Sequence, residues 1–147
     1  MEIKKPIRSF RDLEVYKNSY NACVILMTKI IPKLPLNERY DLKDQLSRSC
    51  KAVPRLIAEG YAKRHQKRGF QKYLDDAMAE SNETIVGLEQ IKDIYRIEIS
   101  LCTELITVYD ITSRQLFNLA TAWNSFKDKH QTKPLNHTSF YAKTPNL

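Results

Sequence analysis

The chain has 147 residues, which fits one domain and is long enough to bury a sizeable core. It carries 24 lysines and arginines against 17 acidic residues, for a net charge of +7 at neutral pH. With three glycines and six prolines it disfavours a multi-turn β fold, and no apolar run approaches the ~18 residues of a membrane span.

The first predicted helix covers about residues 10–34. Apolar residues recur there at intervals of three and four, which places them on one helix face. Ser9 and Asp12 form a predicted capping pair at its start, and Pro32 and Pro35 end it. The apolar positions are Leu13, Tyr16, Tyr20, Cys23, Met27, Ile30 and Leu34.

The second predicted helix covers about residues 38–62, with Asn37 as its N-cap. Pro54 lies inside it, so we expect an interruption and a bend where the hydrogen bond to the Cys50 carbonyl is lost. Gly60 brings this helix toward its end. The apolar positions are Leu42, Leu46, Cys50, Val53 and Ile57.

The third predicted helix covers about residues 67–96 and has the most regular pattern. Its small residues Ala77 and Ser81 allow a neighbouring helix to come close. Its apolar face also includes Phe70, Leu74, Thr84, Leu88, Ile91 and Tyr95.

The fourth predicted helix covers about residues 100–126, and its apolar positions form two adjacent lines. One line is Leu101, Leu105, Val108, Leu119 and Phe126, and the other is Tyr109, Leu116 and Trp123. Residues 127–147 contain two prolines and no period, which indicates a flexible basic tail. Four helices with short connections predict an all-α, antiparallel up-down-up-down four-helix bundle over residues 1–126.

Cationic residues form two groups. Arg48, Lys51 and Arg55 are spaced i, i+3, i+7 and make a stripe along the second helix, with Asp44 and Glu59 as its predicted counter-charges. The basic segment, defined here as residues 61–74, contains no acid and supplies +5 of the net charge. Its cations are Lys63, Arg64, Lys67, Arg68 and Lys72, with the aromatic residues Tyr61 and Phe70 among them.

An isolated lysine on a helix face is usually only solvated, but this segment has no nearby acid to balance it. Aromatic side chains among cations suit base stacking combined with phosphate contact, although Phe70 is in register with the core. We therefore predict nucleic-acid binding by both cationic groups, through Arg48, Lys51, Arg55, Lys63, Arg64, Lys67, Arg68 and Lys72.

The sequence predicts no catalytic site, no metal and no cofactor. It contains no Glu-x-x-His pair and no glycine-rich phosphate loop, and its histidines lie on no predicted core face. Cys23, Cys50 and Cys102 fall in three predicted helices, where we expect small buried packing residues rather than a zinc site or a disulfide framework. No signal peptide follows Met1, so we expect a cytoplasmic protein.

Two short sequence motifs, called words here, narrow the choice of fold further: Gln45-x-x-Arg48 and Ala58-Glu59-Gly60-Tyr61. Over about residues 8–126 the chain resembles the small bacterial four-helix-bundle family encoded by intervening sequences of large-subunit ribosomal RNA genes. The accessory variability protein of diversity-generating retroelements is a relative. The resemblance implies a packing or subunit-contact role for Glu59, together with Pro54 and Gly60, and assembly as a homopentameric ring.

Self-association also has some support from the residues themselves. Tyr109, Trp123, Val15 and Ile25 give the first and fourth helices more than one apolar stripe. A monomeric bundle would leave the second stripe exposed, so we expect a homo-oligomer in which Tyr109 and Trp123 make structural or subunit contacts.

The leading hypothesis is a non-enzymatic, RNA-binding or DNA-binding subunit of a ring, with RNA preferred because the resemblance points to RNA-linked genetic elements. One alternative is an accessory subunit that binds the reverse transcriptase and template RNA of a diversity-generating retroelement. Another is a protein-interaction scaffold or antitoxin-like partner whose basic surface meets an acidic protein. None of these hypotheses involves a membrane.

Overall fold

The computed structural model describes residues 5–38 and 40–131, and the side chains among them up to residue 125. Over these residues the chain is helical and has no strand. The four long helices are α1 (Glu14–Ile25), α2 (Leu42–Ala62), α3 (Gly69–Gln90) and α4 (Ile99–Gln131). The predicted all-α class is therefore confirmed. The fourth helix continues to Gln131, past residue 126 where the predicted helix ends, and the remainder of the predicted tail lies outside the described residues.

The predicted capping pair is present, but on a short 3-10 turn (Phe10–Asp12) that precedes α1. Asp12 accepts hydrogen bonds from the backbone N–H of Arg8 at 2.8 Å and of Ser9 at 3.0 Å. Ser9 Oγ in turn accepts from the Arg11 N–H at 3.0 Å. This capping pair therefore orders the turn that leads into α1 and is not part of the first turn of α1 itself.

Two helices are continued by π-helical turns, which are wider than α-helical ones. A π-helical turn (Leu26–Ile30) and a 3-10 turn (Ile31–Lys33) continue α1, and a second π-helical turn (Ile91–Tyr95) continues α3. Beyond the latter turn, Arg96 and Glu98 adopt left-handed backbone angles, with φ of 54° and 47°. That change of direction leads the chain into α4.

Two expectations for the second helix are wrong. Asn37 does not cap it, because residues Leu36–Glu38 form a separate 3-10 turn and α2 begins only at Leu42. The helix is also not interrupted at Pro54, which lies buried within an unbroken α2. Its buried neighbours Val53 and Ile57 continue one packed face, and such packing outweighs one missing backbone hydrogen bond.

Each helix packs against two others: α2 against α3, α3 against α4, and α1 against both α2 and α4. The largest fully buried side chains come from α2, α3, α4 and the π-helical turns that continue α1 and α3; they are Tyr109, Phe70, Leu26, Ile30, Leu46, Ile57, Leu74, Leu88, Ile91 and Leu116. The α2 and α3 backbones come close at Gly60, where an added Cβ would lie 2.6 Å from Tyr73 Cβ. A glycine is therefore required for this approach.

The expectation that a second apolar stripe is exposed in the single chain is wrong for three of the four residues assigned to it. Tyr109 is 0 % exposed, and Val15 and Trp123 are also buried inside the single chain, whereas Ile25 is half-buried. Because α4 contacts both α3 and α1, it needs two apolar lines to fill the core of one bundle. Tyr109 and Trp123 are thus core residues, with Trp123 edge-on to Phe70 at 5.3 Å between ring centroids.

A line of buried hydroxyl groups connects α3 to its neighbours. Thr84 Oγ1 lies 2.9 Å from Ser49 Oγ on α2. On the other side of α3, Ser81 donates to the Tyr109 carbonyl at 3.1 Å and accepts from Ser113 Oγ at 2.8 Å. These bonds satisfy polar groups inside the core and fix the rotation of α3 relative to α2 and α4.

The α1–α2 and α3–α4 connections touch each other. Tyr95 donates to a Glu38 carboxylate, and Lys33 forms an ion pair with Glu98. This end of the bundle is therefore tied together by side chains from both connections. None of the helices within the described ranges combines the length and apolar character needed to cross a membrane.

Candidate nucleic-acid interface

The α2–α3 connection (residues 63–68) is a compact pair of turns. The Gln66 N–H donates to the Lys63 carbonyl, and the Gly69 N–H donates to the Gln66 carbonyl, both at 3.0 Å. Arg68 adopts a left-handed backbone with φ of 57°, and a Cβ on Gly69 would lie 2.1 Å from the Lys63 carbonyl oxygen. The connection therefore has a defined shape that positions its cations.

A concave surface of about 580 Å³ lies beside this connection, and we call it the basic hollow. Its lining includes four cations and two carboxylates that follow the basic segment on α3, Asp75 and Asp76. The positive charge therefore exceeds the negative, but by less than the basic segment alone predicts. The cations are Lys63, Lys67, Arg68 and Lys72, and the other lining residues are Gln66, Gly69, Gln71 and Tyr73.

Two of the predicted phosphate-contacting cations are held on tyrosine rings. Lys63 Nζ donates to the Tyr73 hydroxyl at 2.5 Å and lies 4.8 Å from the ring centroid. That hydrogen bond raises the pKa of Lys63, with the Tyr73 and Glu59 charges adding to the effect. The Arg64 guanidinium lies 4.1 Å from the Tyr61 ring centroid and donates to the Tyr61 carbonyl at 2.8 Å. Lys67, Arg68 and Lys72 are exposed.

Tyr61 does not act as an exposed stacking surface, contrary to the expectation for aromatic residues in this segment. It is only 9 % exposed, packs edge-on against Phe70, and carries the Arg64 guanidinium on its ring. Phe70 is buried, as its register predicted. Tyr73 is the aromatic side chain that lines the basic hollow, and its half-buried position beside Lys63 follows from the close α2–α3 packing.

The cationic stripe of α2 faces a different depression, which we call the α2–α3 groove. Arg48, Lys51 and Arg55 all line it, but so do Glu80 and Glu83 from α3. Burial raises the pKa of Glu80, and the neighbouring charge of Glu83 adds to that effect. The stripe is therefore opposed by acids that lie far away in sequence.

The predicted counter-charges of the stripe have different outcomes. Arg48 pairs with Asp44 at 3.0 Å, as expected for an i, i+4 contact. Glu59 is exposed near Lys63, and the ion pairs of the described side chains do not join it to Arg55. No described group of three or more His, Cys, Asp and Glu side chains is arranged to hold a metal ion.

The family model of the 23S rRNA-intervening sequence proteins matches residues 11–118 of this chain, a range that spans α1 to α3, the basic segment and most of α4. The chain belongs to this family. The resemblance carried by the Gln45-x-x-Arg48 and Ala58-Glu59-Gly60-Tyr61 words is thereby confirmed. Comparisons with curated proteins and with solved structures gave no match.

In this member of the 23S rRNA-intervening sequence protein family, the second of those words has a clear packing role. Gly60 permits the contact with Tyr73, while Tyr61 packs on Phe70 and supports Arg64. The word therefore shapes the point where α2 ends and the basic segment begins. Pro54, Gly60, Tyr109 and Trp123 are all buried within the single chain.

Proposed function

We propose that this chain is a non-enzymatic protein that binds single-stranded RNA through the basic hollow. The observation that carries the proposal is a group of exposed cations: Lys67 and Arg68 on a connection with a defined backbone shape, and Lys72 in the first turn of α3. Binding to a polyanion depends mainly on such phosphate contacts. Membership of the 23S rRNA-intervening sequence protein family is compatible with a role linked to nucleic acid.

The start of α3 adds to the positive potential of the hollow. Gly69 begins a helix of 22 residues whose first turn has no acidic residue and whose N-cap, Arg68, makes no side-chain cap. The amino end of a helix carries a partial positive charge and presents backbone N–H groups to anions. Lys67, Arg68 and Lys72 surround this end, so the backbone and the side chains favour the same ligand charge.

We favour the basic hollow over the α2–α3 groove as the phosphate site. Glu80 and Glu83 face the cations of the groove, and Arg48 is already paired with Asp44. A phosphate entering there would meet two carboxylates across the depression. In the basic hollow, four cations face Asp75 and Asp76.

The proposal includes an antiparallel up-down-up-down arrangement and assembly into a homopentameric ring. Because Tyr109 and Trp123 are buried, the support for self-association comes from other apolar side chains, which remain exposed on α1 and α4. They are Tyr20, Val24, Ile111 and Phe117. A ring would repeat the basic hollow around an axis and raise avidity without new contacts. Light scattering tests this part, because a mass equal to that of the 17.2 kDa chain at micromolar concentration would contradict it.

The binding experiment compares two variants of equal net charge. One neutralises the hollow by Lys67→Gln, Arg68→Asn and Lys72→Gln, with asparagine chosen because it tolerates left-handed backbone angles. The matched control neutralises three exposed lysines elsewhere by Lys5→Gln, Lys17→Gln and Lys29→Gln. Binding of a fluorescent single-stranded RNA is followed by anisotropy over a salt series, and circular dichroism checks the helical content.

Each lost phosphate contact should flatten the log-log salt dependence by ~0.7, so the hollow variant should lose roughly 2 in slope while the control keeps the parent slope. Equal losses in both variants would mean that net charge alone drives binding. RNA binding by the hollow variant as tight as that of the parent would refute the proposal. Single-stranded DNA of the same sequence tests the preference for RNA.

A further inference from the structure

Two cysteines meet at a surface depression between α1 and α2. We call this depression the thiol groove; it measures about 310 Å³ and its walls include Tyr16, Tyr20 and Pro54. Cys23 on α1 lines it and keeps 8 % of its surface exposed. Behind Cys23, Cys50 on α2 is 0 % exposed, and the two Sγ atoms lie 3.6 Å apart. All three cysteines are buried packing residues as predicted, but this proximity was not expected from their spacing in the sequence.

The surroundings make the two thiols unequal. The hydrogen bond between the two thiols lowers the pKa of Cys23, and the nearby charges of Lys51 and Arg55 lower it further, against an opposing effect of burial. The same contact and burial raise the pKa of Cys50. Burial also raises the pKa of Cys102, which is 0 % exposed and lies on α4. Cys23 is therefore the thiol that ionises first and that reagents in solvent can reach.

We propose that Cys23 is a reactive thiol that small hydroperoxides oxidise, and that Cys50 is its resolving partner, so that oxidation joins α1 to α2 through a disulfide. This inference is independent of nucleic-acid binding. It rests on the contact between two sulfur atoms, on the difference in their exposure, and on the groove that leads to one of them.

The reaction has two balanced steps. The Cys23 thiolate attacks one oxygen of the hydroperoxide, the O–O bond breaks, an S–O bond forms, and the alcohol or water leaves after taking a proton. The Cys50 sulfur then attacks the Cys23 sulfur and the S–O bond breaks. The hydroxide that leaves takes the proton from Cys50 and becomes water. The hydroperoxide is reduced by two electrons and the two thiols are oxidised to one disulfide.

Local packing permits the second step. A disulfide needs its sulfur atoms about 2.05 Å apart, so the two Sγ atoms must approach by roughly 1.5 Å. Side-chain rotation and a small shift of α1 supply such a movement where neighbouring residues are small. Ser19, one turn before Cys23, and Ala22, next to it on α1, are buried residues of this kind.

The test treats the reduced full-length protein with hydrogen peroxide and counts its thiols. The expected count falls from three to one per chain, with a mass loss of about 2 Da under non-reducing conditions, and peptide mapping finds Cys23 linked to Cys50. A count that stays at three, a link between two chains, or oxidation of Cys102 as fast as that of Cys23 would overturn the proposal.

Three cysteine variants separate the roles. In Cys50→Ala the sulfenic acid of Cys23 should accumulate and react with dimedone, whereas Cys23→Ala should keep both remaining thiols. Cys102→Ala is the matched control for loss of a buried thiol and should still form the Cys23–Cys50 link. Failure of dimedone to label Cys50→Ala, or loss of thiols in Cys23→Ala, would contradict the assigned roles.

A surface variant avoids any risk to the core. Lys51→Gln with Arg55→Gln changes two exposed cations of the thiol groove. It should slow alkylation of Cys23 by iodoacetamide at neutral pH by roughly three- to tenfold, because less of the thiol is ionised. Unchanged alkylation would mean that these cations do not activate Cys23 and would count against the proposal.

Discussion

Replacing Gly60 by alanine should destabilise the protein, although alanine is the better helix former. The added Cβ would lie 2.6 Å from Tyr73 Cβ and 3.2 Å from Phe70 Cδ1. Overpacking of this kind costs ~1–3 kcal/mol. Tyr73 Cβ is fixed to the α3 backbone and Phe70 is 1 % exposed, so relief requires a helix shift and the cost should be near the upper limit. The gain in helix propensity is ~1 kcal/mol.

The net loss should therefore be about 2 kcal/mol, or roughly 4–8 °C in Tm for a chain of this size. Gly87→Ala is the matched control: it brings the same propensity gain, but the atoms nearest its Cβ all belong to the Leu46 side chain, whose movable end, Cδ1, would lie at 2.7 Å. We expect Gly87→Ala to stay within about 1 kcal/mol of the parent. Thermal and urea unfolding measure both. A Gly60→Ala protein as stable as the parent would refute the inferred close contact of α2 with α3.

Three further predictions concern single side chains. Thr84→Val removes the hydroxyl that contacts Ser49 and should cost about 1 kcal/mol in urea unfolding, and an unchanged midpoint would show that this buried bond adds no net stability. Tyr73→Phe removes the hydroxyl that accepts the hydrogen bond from Lys63, so the Lys63 pKa should fall back toward 10.5 in an NMR titration. In the folded parent that pKa is raised. The stability linked to it is therefore present below pH 10.5 and is lost as the pH rises through the raised pKa. The backbone hydrogen bonds to the Asp12 carboxylate lower its pKa below 3.8. The stabilising effect of this carboxylate is therefore present above pH 3.8 and is lost as the pH falls through the lowered pKa. Asp12→Asn should remove that pH dependence from a series of thermal unfolding curves.

The existence and order of the four helices follow from periodicity, because each helix must turn one apolar face inward. Leu74 and Leu88, for example, were predicted from spacing alone and are both fully buried. Helix starts were harder to predict, since Asn37 suits a helix N-cap but is found in a 3-10 turn. Tyr109 and Trp123 were misassigned to an exposed stripe because the spacing does not reveal that α4 packs on two helices.

The candidate site shows the same limit. The cations of the basic segment are adjacent in sequence, so their clustering was predictable. Glu80 lies opposite Arg48 only because α2 and α3 pack with one particular rotation, and nothing in the spacing of the two residues indicates that. The contact between Cys23 and Cys50 depends on the relative rotation of α1 and α2 in the same manner.

The two π-helical turns affect how the length of this chain can vary. A π-helical turn bonds i to i+5, one residue more than the α-helical turn, and so holds one residue in excess. Deleting one residue from Leu26–Ile30 or from Ile91–Tyr95 lets that turn revert to α-helical geometry, while the preceding helix keeps the same face toward the core. The same deletion in the middle of α2 would rotate every later residue of that helix by about 100° and turn its buried face toward solvent. Single-residue length differences among relatives should therefore concentrate in these two turns.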